Sequence, residues 1–129
     1  MKTPLYFAAL TLALPVTAAD WAQWRGPNRD GHVDATIAAL PKEPKALWSI
    51  SVGNGQASPV VAGGKLIYLD EQKDQEVAHC VDLKTGKELW APVLEKNIAA
   101  NAMTYQGSDG RQYVAAVATD AVVSFALSK

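Results

Sequence analysis

Short apolar runs separated by turn-forming pairs fill the chain from residue 47 onward. Trp48, Ile50 and Val52 alternate with serines, a period of two that places one face of an extended segment against apolar surface. Runs at 66–69, 77–81, 112–117 and 121–127 are rich in β-branched and aromatic residues, and each reads as a strand. Gly63-Gly64 and Asp109-Gly110 break the runs as turns, and Gly53-Asn54-Gly55 is a further turn. Glu71, Lys73, Asp74 and Glu76 cluster around a hairpin as a mixed-charge, solvated loop. The pattern predicts an all-β domain of antiparallel strands.

The same pattern repeats. Leu47-Trp48-Ser49-Ile50-Ser51-Val52 recurs as Leu89-Trp90-Ala91-Pro92-Val93-Leu94, a shift of forty-two residues. A weaker echo links Ser58-Pro59-Val60-Val61 and its glycine pair to Ala102-Met103-Thr104-Tyr105 and the glycines after it. Periods of about 40–45 residues with four short strands apiece are what propeller blades give. Between strands, Asp82-Leu83-Lys84-Thr85-Gly86 forms a tight reversal: Gly86 takes a positive φ at no steric cost, and Asp82 and Thr85 bond nearby amides.

That reversal resembles the tryptophan-docking signature of pyrroloquinoline-quinone (PQQ) type β-propeller repeats, Ala-x-Asp-x-x-Thr-Gly-x-x-x-Trp, with Cys80 replacing the alanine and Trp90 closing it. The lead Trp21-Ala22-Gln23-Trp24-Arg25-Gly26-Pro27 resembles the start of secreted members. Met103-Thr104-Tyr105, Gly110 and Gln112-Tyr113-Val114 resemble the closing blade of quinoprotein alcohol dehydrogenases. The resemblance implies a partial β-propeller of two four-stranded antiparallel blades, the first and last of a ring, joined at residues 95–100. The strand at Leu47-Trp48 is expected to pair with residues 122–127 and so complete the last blade.

Residues 1–19 read as a signal peptide: Lys2, an apolar run at 5–14, Pro15, then Thr17-Ala18-Ala19 for cleavage. The run is shorter than the roughly 20 residues of a membrane span. A periplasmic or secreted product follows, with a lead segment and loop at 20–46, interrupted by Pro41 and Pro44, and the two-blade unit at 47–129. Of 129 residues 49% are hydrophobic, enough for one small core, and the formal charge of −1 offers nothing basic to hold nucleic acid.

Chemistry is sparse in this sequence. The resemblance implies PQQ at the propeller axis, lying over a tryptophan and under a disulfide of adjacent cysteines, beside a calcium held by Glu, Asn and Asp, with an Asp as base. Cys80 is the single cysteine, so that disulfide is excluded, and it is expected to be a buried, inert thiol. His32 and His79 lie far apart, and His79 is expected to pack as a strand residue. Arg25 and Arg29 stand beside tryptophans that are expected to pack on the domain edge. No catalytic, cofactor-binding or metal residue is assigned, and PQQ and calcium enter by resemblance alone. The functional expectation is an exported, noncatalytic binding or scaffolding module that self-associates or binds a protein partner. The alternative is a piece of a periplasmic PQQ-dependent alcohol dehydrogenase.

Overall fold

A computed structural model describes residues 20–34, 39–55, 57–95 and 97–127, so the expected signal peptide lies outside the described residues. The described residues contain strands and turns and no helix. Strands β1 (Val60–Ala62), β2 (Lys65–Gln72), β3 (Gln75–Asp82) and β4 (Glu88–Trp90) form an antiparallel sheet in chain order, and β5 (Val93–Leu94) also pairs with β3. Strands β6 (Met103–Gln106), β7 (Gln112–Val117) and β8 (Val122–Ala126) form a second antiparallel sheet.

Turn chemistry sets the register. Gly63 and Gly64, with φ of 57° and 72°, join β1 to β2, and the two-residue turn at Lys73 and Asp74, with φ of 53° and 61°, joins β2 to β3. Positive φ at both central residues twists a hairpin in the hand its strands prefer. The β2–β3 register then places Tyr68 opposite His79 and Ile67 opposite Cys80. At the third reversal Asp82 Oδ1 accepts from the Lys84 and Thr85 amides and the Thr85 hydroxyl at 2.8–3.1 Å, and Gly86 N–H donates to Asp82 O.

β4 and β5 are the two halves of one outer strand. Pro92 lacks an N–H and interrupts the ladder, while its carbonyl accepts from Ala78 N–H at 3.1 Å and keeps the chain alongside β3. Within β4 a register shift at Cys80/Val81 leaves Leu89 as the extra residue, and the register is the same on both sides of Pro92. The first sheet is therefore in effect the four-stranded blade expected.

The second sheet has three strands. The expected pairing of the Trp48 segment with 122–127 does not form, and residues 47–53 are in no strand. Trp48 is held by the first sheet: its indole N–H donates to Leu83 O at 3.0 Å, and its ring covers Gly86 so closely that an added Cβ would sit 2.7 Å away. These local contacts replace the strand ladder, and among the described residues β8 keeps β7 as its one strand neighbour.

The core lies between the sheets. Alternation sends Val60, Ile67, Leu69, Ala78, Cys80 and Leu94 of one sheet against Val114, Ala116 and Leu127 of the other. Trp90 and Phe125 meet edge to face at 4.9 Å across this seam. The sheets approach most closely along β1 and β6, with residues 20–22 stitched to both: Trp21 exchanges two backbone hydrogen bonds with Val61, and Ala22 O accepts from Thr104 N–H. Trp21 packs over Gly26, as expected of an edge tryptophan, whereas Trp24 is 57% exposed and has the Arg25 guanidinium 5.7 Å from its ring.

Candidate functional site

Two places on the first sheet gather polar chemistry, and the first is largely buried. His79 projects from β3 on the side opposite Cys80 and stacks flat on Tyr68 of β2, with ring centroids 4.5 Å apart. Its Nε2 lies 2.9 Å from Asp70 Oδ1 and its Nδ1 3.0 Å from Glu88 Oε2. Asp70 also accepts from the Gly53 amide at 2.7 Å and from Gln72 Nε2 at 3.1 Å. Satisfying both imidazole contacts takes an imidazolium between two carboxylates, or a neutral ring with one carboxyl protonated.

Burial alone pushes the Asp70 carboxyl up. The hydrogen bonds from Gly53 and Gln72 and the adjacent His79 outweigh it and hold Asp70 below the ordinary carboxylate value. Tyr68 moves the other way, raised by burial and by the charges of Asp70 and Glu88. The array fixes the 53–55 turn to the sheet, assisted by paired backbone bonds between Asn54 and Glu71. The carboxylates flank the ring on opposite sides, so their oxygens do not converge on one point.

The second place is a cleft of about 670 Å³ between the first sheet and the connector at 98–101, lined by Trp24, Asn54, Glu71, Glu76, Ile98 and Asn101 among others. Glu71 and Glu76 are direct cross-strand partners, a like-charge pair at the cleft mouth. Asn101 Oδ1 is committed to Ser58 N–H at 2.9 Å.

The sequence reading treated His79 as a packed strand residue, and it is buried as expected, but its two carboxylate partners were missed. The hairpin register held the signal: with Lys73-Asp74 as a two-residue turn, Asp70 falls on the face of His79, two places from its partner Tyr68. Cys80 is buried in the core, and burial pushes its thiol up. His32 sits in an exposed turn, its amide bonded to Asp30 Oδ1. Arg29 Nε donates to Gln23 Oε1 within the lead.

The sequence model described as "PQQ: Glucose/ethanol/alcohol dehydrogenase, beta-propeller domain" matches residues 18–114. The chain belongs to this PQQ β-propeller family. The two antiparallel sheets, meeting along their first strands, are accordingly neighbouring blades of a partial propeller. A lanthanide-dependent methanol dehydrogenase of Methylacidiphilum fumariolicum (strain SolV) is 33% identical over 113 residues, 84% of this chain. The chain spans 18% of that relative's length. No solved structure matches the chain.

PQQ family membership raises the fit of a quinone and its metal. Hard cations take several converging oxygens. Among the described residues no group of three or more acidic, histidine or cysteine side chains gathers for a metal. Glu71 and Glu76 supply two carboxylates at the cleft beside the connector, with the Asn101 oxygen already engaged. Trp48 and Trp90, the signature tryptophans, are spent on Gly86 and on Phe125. These residues do not fit a complete quinone or metal site. Among them, too, no helix is long and apolar enough to cross a membrane.

Proposed function

We propose that this PQQ-like propeller chain is an exported, noncatalytic binding or scaffolding module that acts through blade-to-blade association. The observation that carries the reading is the open edge of the second blade. Among the described residues β8 has a strand neighbour on one side only, and Val122 at its start is 70% exposed. Propeller blades bury such surface against neighbours, and a bare edge is a template for another strand. Leu47 and Val52 add exposed apolar side chains on the segment that packs on the first blade. The Asp70–His79–Glu88 array is in keeping with this reading, because both imidazole nitrogens and both Asp70 oxygens are engaged within it, by Gly53 and by Gln72.

Light scattering on the purified mature chain tests the reading. Association above the monomer mass is expected, and a stable, monodisperse monomer overturns it. Export has a separate test: mass spectrometry of exported protein should find the chain starting at or next to Asp20, and retention of residues 1–19 refutes processing.

A second reading, a portion of a PQQ-dependent alcohol-oxidising enzyme completed by other blades, is favoured by the similarity to the methanol dehydrogenase. Dye-linked alcohol oxidation with added PQQ and either calcium or a lanthanide decides it. Turnover by the purified chain alone would displace the noncatalytic reading.

A further inference from the structure

At the other end of β2 from the acidic cleft, the blades enclose a second space whose charge is reversed. Lys65 opens β2 directly after the Gly63-Gly64 turn, and Arg111 precedes β7 directly after the Asp109-Gly110 turn. Both line a cleft of about 380 Å³, one blade contributing each, with Gln106, Gln112, Tyr105 and Asp20. A space of that size suits a small molecule.

Gln112 organises the cleft. Its amide nitrogen donates across the seam to Ala62 O at 3.2 Å and to Thr104 Oγ1 at 2.9 Å. Its carbonyl oxygen is thereby turned toward Lys65 Nζ, 3.5 Å away. That single long contact leaves most of the ammonium's donor capacity unused. The Arg111 guanidinium donates no side-chain hydrogen bond among the described residues; its backbone amide is the group bonded to Asp109. Asp20, the acidic lining residue, has one oxygen occupied by the Gly63 amide at 3.2 Å. Asp109, on the Arg111 turn but outside the lining, spends its carboxylate on the Arg111 amide and the Tyr113 hydroxyl and offsets part of the Arg111 charge. The lining itself carries two cations and one partly engaged carboxylate, a net positive set. Lys and Arg donors lining one cleft from two sheets are matched to an anion with several acceptor oxygens.

We propose that this interblade cleft binds a small oxyanion, a carboxylate or a phosphate, between Lys65 and Arg111. The site is independent of the association reading, since a chain that stays monomeric retains both turns.

Titration of the full mature chain with malonate and, separately, inorganic phosphate tests it by calorimetry and by amide chemical shifts. Saturable binding is expected, with shifts centred on Gly63, Lys65, Gly110 and Arg111, and the tighter probe identifies the oxyanion class. Lys65→Gln and Arg111→Gln should each weaken binding by about tenfold, the loss of one charge-assisted contact. Lys42→Gln, in the lead loop, should leave binding unchanged. The proposal is overturned if neither anion saturates below about 20 mM, a range weaker than functional small-molecule binding. It is also overturned if both glutamine variants bind as the parent does. The shift map on the unsubstituted chain decides the matter even where a variant folds poorly: shifts centred elsewhere overturn the site.

Discussion

Gly86 answers two demands with one residue. Its φ of 69° lies in the left-handed region, and the Trp48 ring occupies the space where a Cβ would project. Alanine there meets backbone strain and an immovable indole together, so Gly86→Ala should cost about 2–4 kcal/mol in urea unfolding. A midpoint equal to the parent's would show that the ring does not rest on this turn. Lys73 and Asp74 present the opposite case, left-handed residues that carry side chains. Replacing the pair with Asn-Gly supplies the sequence that such a turn prefers and should add about 0.5–1 kcal/mol.

Asp70 ties stability to pH. Its carboxyl is held below its ordinary value in the folded chain, so the unfolded chain binds the proton more readily. The stability it contributes is complete above the unfolded value of about 4 and is lost as pH falls through the folded value. Asp70→Asn should therefore lower the melting temperature at neutral pH and flatten the decline below about pH 4. Parallel acid limbs in the two proteins would remove Asp70 as the source.

At the scale of elements, a strand's worth depends on which faces it buries. Ile67 in β2 is fully buried between the sheets, and Ile67→Ala should cost about 2–5 kcal/mol. Val122 in β8 faces solvent, and Val122→Lys should change unfolding of the monomer by no more than about 0.5 kcal/mol. The hairpins β1–β2 and β2–β3 were legible from sequence because their turn residues and alternation are local. The outer strand was half legible: Trp90 closes the signature turn, and Pro92 marks the break between β4 and β5. The Trp48 segment has the alternation of a strand and forms none. Its partner is a turn thirty-five residues away, reached through the indole N–H.

At the scale of the whole molecule, two blades side by side bury the surfaces that face each other, and among the described residues no second strand covers the β8 edge. Charge on an edge strand blocks strand addition. Val122→Lys should therefore reduce the mass seen by light scattering while leaving the circular dichroism of the fold intact. An unchanged mass would place the contact on another surface.

The sequence by itself determined the all-β class, the turn at Asp82–Gly86 and the burial of Cys80, because each follows from neighbours within a few residues, and the repeat, because like segments recur forty-two residues apart. It also carried the family, through spacings that a chain preserves whatever its length. Only the tertiary structure decided where Trp48 docks, which carboxylates bracket His79, and that Lys65 and Arg111 line one cleft. Those pairings join residues on different strands or different sheets. Their contacts depend on register, on the side-chain direction that register imposes, and on how closely two blades approach, none of which is a property of any single segment.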